Sequence, residues 1–358
     1  MGILGVRFKK ACLVCFAVIV LLVSGGCRHH SSKPRLRVGA FFGSLGGMPF
    51  PDPNDLGLHH YDNPAGEKLG MVYTCRGGFV DIGHVREAAD RTAYLSAVTF
   101  RNLMLGRRQF TFRVIEPSRY RVTLIYPEAW DDSAMEDREA VAREVSILLG
   151  QYFARTSLVW HEIVTWYGFA STGLFSENIS AFSWEDMYSD LLGTRLAVRA
   201  LQDTAQSYDP AMTRLINEAV GELEVQPANT ARRAANAIYG KWYSGGWYFF
   251  VEMLERNFDA GLTSGQVTPW LVEGICPQAQ PHPLPVPDVK FLDEYGFQME
   301  LKIEAREMER YKIYRDLQLD DTDRPLLPEV HFPELLELIT QQAAAVSREK
   351  SSKTTGIR

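Results

Sequence analysis

The stretch from Gln109 to Tyr126 constrains the fold more than any other part of the chain. QFTFRVIE and YRVTLIYP each alternate apolar and polar residues around Pro117-Ser118, the pattern of two half-buried strands joined by a turn. Phe110, Phe112 and Val114 share one face, and Tyr120, Val122, Leu124 and Tyr126 do likewise on the partner. Tyr295 to Ala305 alternates in the same way, and shorter strands are expected at 36–42 and 71–74. The remaining periodic segments read as helices: one from about Asp81, two between Ser133 and Tyr167 broken near Gly150, one opened by Ser183 and running to about Ala205. Further helices are expected at Pro210–Glu222, Thr230–Asn257 and Pro333–Ser347. The expected class is α+β, mainly helical, with a small antiparallel β-sheet. With 46% hydrophobic residues in 358, residues 35–346 can enclose one core. The tail, 347–358, reads as disordered.

The N-terminus reads as a targeting segment over residues 1–26. Arg7, Lys9 and Lys10 precede an apolar run of 13 residues, Ala11 to Val23. A spanning helix needs about 20, so this is the core of a signal peptide. Ser24-Gly25-Gly26-Cys27 resembles the lipobox of bacterial lipoproteins, which implies a lipid on Cys27 and a tether over 27–34. Arg28 in place of Asp points to the outer membrane, with the domain facing the periplasm and the membrane as its first partner. The formal charge of −6 becomes −9 once those three basic residues are removed. A general nucleic-acid surface is therefore not implied. Cys12 and Cys15 leave with the signal, so Cys75 and Cys276 remain. In an oxidising compartment one disulfide is the economical use of the two.

The chemistry concentrates between Trp160 and Leu196. His161 and Glu162 lie in a helical run, and His161 shares a face with Thr165. An acidic cluster follows, with Glu185 24 residues after His161, then Asp186, Ser189, Asp190 and Gly193. Upstream, Asp81 and His84 sit three apart on one helix face, and Arg86 and Asp90 four apart can pair. His59 and His60 fall in a Gly/Pro/Asn-rich loop and read as surface histidines, His29 and His30 as part of the tether, and His282 and His331 as connector residues. Plainer readings exist for the cluster. Ser183 and Asp186 have helix N-cap spacing, Asp186 and Asp190 can form a solvated face, and His161 can be a core histidine bonded to Glu162 or a backbone carbonyl.

The His-Glu pair, SENIS at 176–180 and EDMYSDLLG at 185–193 together resemble the thermolysin-like gluzincin metallopeptidases. That resemblance implies zinc held by His161 and by Glu185 or Asp186, with Glu162 as the base for a bound water. Thr165 stands where the motif has its second histidine, and His84 is the candidate for the missing ligand. Cys75 with His84 is weaker as a nucleophile pair of the NlpC/P60 type, since nine residues separate them in an order that family does not use. Across residues 35–320, YTCRGGFVDIGHVREAAD, HEIVTWYGF and SAFSWEDMYSDLLGT resemble the DUF4056 family of bacterial lipoproteins. The expected function is a metal-dependent envelope hydrolase of peptide or peptidoglycan bonds. The competing expectation is a non-catalytic lipoprotein that binds or scaffolds another envelope component.

Overall fold

A computed structural model describes residues 32–35, 37, 50–169, 180–245 and 252–355. Cys27, His29, His30, most of the expected strand at 36–42 and residues 176–179 lie outside them. In chain order the elements are a hairpin of β1 (Met71–Thr74) and β2 (Gly78–Asp81), α1 (Ile82–Met104), and a hairpin of β3 (Gln109–Phe112) and β4 (Arg119–Ile125). Helices α2 (Met135–Trp166), α3 (Asp186–Gln202), α4 (Tyr208–Glu222) and α5 (Ala228–Ile238) follow. Short strands β5 (Tyr243–Ser244), β6 (Glu252–Met253), β7 (Gln266–Val267) and β8 (Leu284–Pro285) come next. They lead to α6 (Phe291–Tyr295), β9 (Gln298–Glu304), α7 (Arg310–Asp316) and α8 (Pro328–Thr355). The chain is α+β and mainly helical, with small antiparallel sheets. No helix among the described residues is long and apolar enough to cross a membrane.

The alternation between Gln109 and Tyr126 becomes a three-stranded sheet in the order β3-β4-β9. Phe110 pairs with Val122 and Phe112 with Tyr120, while Tyr120 and Val122 face Ile303 and Leu301 across the other ladder. These residues are buried. The Phe112 ring stacks on Tyr120 with centroids 4.8 Å apart and lies 5.3 Å from Phe153 of α2. The apolar face of the sheet is thereby closed by a helix, which an isolated hairpin needs in order to persist.

Helices α1, α2 and α3 form the centre of the molecule, and two glycines set their spacing. A Cβ on Gly150 would stand 2.1 Å from Ser96 Oγ and 2.6 Å from Ser96 N. The expected break at Gly150 is therefore a close crossing inside one continuous helix: α2 passes α1 at backbone distance, and only glycine fits there. A Cβ on Gly193 of α3 would stand 2.2 Å from Val85 O of α1. Ser189 Oγ accepts the Asp81 N–H at 3.0 Å on the same seam, so α3 runs parallel to α1. Arg91 reaches Ser157 and Gly150 meets Ser96, so α2 runs antiparallel to both.

Other expectations change for identifiable reasons. The helix expected over Thr230–Asn257 stops at Ile238, because the Trp- and Tyr-rich run after it favours extended backbone and β5 pairs with β6. Helix α8 begins at Pro328, carries Pro333 inside, and continues past Ser347 to Thr355. His331 Nδ1 lies 2.9 Å from the Leu327 backbone at its start. His59 is buried rather than on the surface. Its Nε2 lies 2.9 Å from Asp90 Oδ1, and Arg37 holds Asp90 Oδ2 at 2.6 Å. Arg86 instead donates to Leu56 O at 2.8 Å, so the expected Arg86–Asp90 pair gives way to partners from the preceding loop.

Cys75 and Cys276 are joined by a disulfide, with Cα atoms 5.4 Å apart at a sequence separation of 201. Chain entropy alone gives a closed loop of that length up to roughly 5 kcal/mol of stabilisation. A Cys75→Ser/Cys276→Ser chain is expected to show a marked drop in melting temperature. The parent in reductant should match it, and identical melts with and without the bridge would show that it contributes nothing.

Candidate functional site

Three helix ends meet at one place. Asp81 caps α1: its Oδ1 accepts the Gly83 N–H at 2.7 Å, satisfying one of the free amides of the first turn. Its Oδ2 lies 2.9 Å from His84 Nδ1. A carboxylate only accepts, so this bond fixes the ring and leaves Nε2 pointing away from Asp81. His84 Nε2 lies 3.7 Å from Asp186 Oδ1 at the start of α3. Burial opposes charge on the imidazole. Asp81, Asp186 and Asp190 outweigh it and hold His84 cationic well above the usual histidine range.

A second imidazole is oriented in the same way. His161, in the last turns of α2, places Nδ1 2.7 Å from Oε1 of Glu116, which is buried in the β3–β4 connection. Burial opposes the charge here too, and the Glu116 carboxylate overcomes it, raising His161 to about 9. The same bond, helped by Arg91, holds Glu116 below the usual glutamate range despite its burial.

Between the two imidazoles lie the acids. Glu162 Oε2 accepts the Phe182 N–H at 2.5 Å. Phe182 has φ +57°, a left-handed backbone that costs a bulky residue about 1–2 kcal/mol. Phe182 O in turn accepts from Asn257 N at 3.0 Å. Burial, and then the charge on Asp186, raise Glu162 to about 7. Asp186 and Asp190, one turn apart on α3, are each raised to about 6, again chiefly by burial. Glu185, at the helix cap, is pushed well up by burial and by Asp186. Among the described residues, Asp186 Oδ1 and Asp190 Oδ1 are buried without a hydrogen-bond partner, and the Ser183 hydroxyl lies beside the buried Glu185 carboxyl.

The fold therefore gathers His84, His161, Glu162, Glu185 and Asp186 into one neighbourhood. It differs from the plainer readings in two respects. Asp186 and Asp190 are buried and not a solvated face. Ser183 does not cap α3; the Asp186 carboxylate accepts the Ser183 N–H at 3.0 Å instead. Of the two acids between which the gluzincin register is ambiguous, Asp186 is the one that meets His84 Nε2 within 4 Å. His161 is engaged with Glu116. Among the described residues, no three His, Cys, Asp or Glu side chains already stand close enough to hold a metal ion. The His84 and His161 side chains are 17% and 18% exposed, while those of Asp81, Asp186 and Glu116 are at most 6% exposed. Solvent thus reaches the cluster at the imidazoles. Cys75 is in the disulfide and supplies no nucleophile for His84.

The sequence does not single out Glu116 or Arg155. Arg155 donates to Ala260 O at 3.0 Å, and burial lowers it to about 10 in spite of Asp190 nearby. A cleft of about 670 Å³ between Tyr61, Arg143 and Asp203 lies at the far ends of α2 and α3 and includes none of these groups.

A family model described as "Protein of unknown function (DUF4056)" matches residues 43–259, a span that holds every acid and both imidazoles of the cluster. No curated protein and no solved structure matches the chain.

Proposed function

The chain belongs to the DUF4056 family, and from that premise we propose that its matched segment carries the water-activating centre of an envelope hydrolase acting on peptide or peptidoglycan bonds. The signal-like N-terminus and the lipobox-like Ser24–Cys27 support a lipid on Cys27 and a place at the periplasmic face of the outer membrane.

The observation that carries the reading is His84, turned by Asp81 so that Nε2 stands 3.7 Å from the unpartnered Oδ1 of Asp186. Metal-bound histidines commonly have their other ring nitrogen held by a carboxylate in this way. Two atoms each about 2.1 Å from one ion at a tetrahedral angle are about 3.4 Å apart, close to the observed spacing. His84, on giving up its Nε2 proton, and Asp186 would be the first residues to hold a divalent ion such as zinc, with Asp190 beside them. When bound, the ion supplies Lewis acidity to a water. His161 and Glu185, the other expected ligands, take different places in this reading. His161, kept cationic by Glu116, stabilises negative charge next to Glu162, and Glu185 adds negative charge behind Asp186.

Glu162 is the general base. A carboxyl near 7 exchanges its proton at neutral pH, and the Phe182 N–H fixes the orientation of Oε2. Metal content by mass spectrometry, measured beside turnover of peptide and peptidoglycan fragments, tests the assignment. The purified protein is expected to carry about one equivalent of metal, lost in His84→Ala. Glu162→Gln should retain it while turnover falls about 10²–10⁴-fold, the usual contribution of general acid–base catalysis. If the parent chain takes up no metal even with zinc added, the hydrolase reading fails and the binding or scaffolding role takes its place.

A further inference from the structure

A second site stands apart from the acid cluster and does not depend on the hydrolase reading. A cleft of about 500 Å³ opens between α3, α4 and the connector that follows Cys276. Arg76, Arg195, Arg199, His282 and Gln151 line it, and Glu222 is the one acid on its wall. We propose that this cleft binds a phosphate-bearing ligand, gripped by Arg76 and Arg195 with Arg199 at the mouth.

The two inner guanidinium groups are positioned without being neutralised. Arg76 Nη1 donates to the backbone carbonyl of Glu222 at 3.5 Å, and Nη2 lies 3.3 Å from His282 Nδ1. Arg195 Nη1 donates to Pro285 O at 3.2 Å. Among the described residues, neither has a carboxylate within 4 Å, whereas Arg199 pairs with Glu218 at 3.5 Å. Two backbone carbonyls and an imidazole nitrogen, none of them a carboxylate, thus hold both forks and leave further N–H donors free. Planar forks held in place in this way suit bidentate recognition of phosphate oxygens.

Both guanidinium groups line the one cleft, and Tyr188 secures its His282 wall by donating its hydroxyl to His282 O at 2.9 Å. Burial, together with the like charge of Arg199, makes Arg195 less basic than an ordinary arginine, a conflict that a bound anion relieves. The wall is built as well. His282 N donates to Arg76 O at 2.8 Å, and the Cys75–Cys276 disulfide pins the connector beside Arg76.

Phosphate can arrive on a soluble phosphorylated molecule or on a lipid headgroup, and the test separates them. The full-length chain is titrated with inorganic phosphate against chloride at equal ionic strength, followed by calorimetry. It is then mixed with phosphatidylcholine vesicles with and without phosphatidic acid, so that any N-terminal anchor contributes equally to both. Phosphate binding that weakens at least tenfold in R76Q/R195Q, and is unchanged in R143Q on the far cleft, supports the site. Added vesicle binding that depends on phosphatidic acid and on both arginines identifies the lipid source. Phosphate binding without it identifies a soluble ligand. If R76Q/R195Q, shown folded by its circular dichroism, binds both probes as the parent does, or if the parent binds neither, the proposal is overturned.

Discussion

At pH 8 with a chelator present, the Glu162→Gln protein is expected to melt above the parent chain, and the advantage is expected to vanish by about pH 5. Burial and the neighbouring Asp186 raise the folded-state carboxyl to about 7, against 4.5 in an unfolded chain. The folded state therefore binds this proton more tightly than the unfolded state does. The stability linked to it is fully present below about 4.5 and is lost as pH rises through 7. Each tenfold in proton affinity is worth about 1.4 kcal/mol, so the ionised carboxylate opposes folding at pH 8 by about 3 kcal/mol. Glutamine is neutral at every pH and can still accept the Phe182 N–H, so it removes the repulsion and keeps the bond. Thermal melts from pH 5 to 8 read the effect directly, with about 5 °C expected at the upper end. A variant that melts below the parent at pH 8 would mean that the charged bond to Phe182 outweighs the repulsion. Asp186 and Asp190, each raised to about 6, push in the same direction. Stability given up at a cluster of acids is what a cation-binding or proton-handling site costs its fold.

Gly193→Ala is expected to destabilise the chain by about 1–2 kcal/mol net and to disturb the site as well. The new methyl would stand 2.2 Å from Val85 O and 2.9 Å from Val85 Cα. Those atoms are backbone and cannot turn aside, so α3 must move off α1. Overpacking of this kind costs about 1–3 kcal/mol, occasionally more, and exceeds the gain of up to about 1 kcal/mol from helix propensity. Val85 adjoins His84, while Asp190 and Asp186 precede Gly193 by one and two turns. The displacement therefore reaches the His84–Asp186 spacing, and the metal uptake proposed for that pair should fall together with melting temperature. Gly221→Ala is the control, since a methyl there meets nothing within 4 Å and the helix should gain slightly. If the two variants melt alike, the close crossing of α1 and α3 is not the constraint it is taken to be.

What is legible in the sequence follows from interactions that are local in the chain. Alternation around Pro117-Ser118 implied the hairpin, because a strand's period is independent of its partner. Asp81 and His84 were legible as a pair because three residues on a helix bring them together, and they meet at 2.9 Å. Gly150 misled for the converse reason. A glycine in a helical pattern looks like a break until the backbone crossing it, here at Ser96, is known. Asp186 and Asp190 looked like a solvated face, since spacing places two carboxylates on one side of a helix without saying what covers that side.

The sequence by itself determined the α+β class, the helical and alternating periods, and the chemical types gathered near residues 84, 161 and 185, because each depends on neighbours within a few positions. Tertiary structure alone decided which of them act together. Glu116 orients His161 from 45 residues away, and Arg76 meets His282 across 206. Asp186, rather than Glu185, faces His84 because α1 and α3 close on a glycine. Burial does the rest. The same carboxylates would be ordinary acids in water, and the packing of three helices around them withdraws the solvent that would have kept them so.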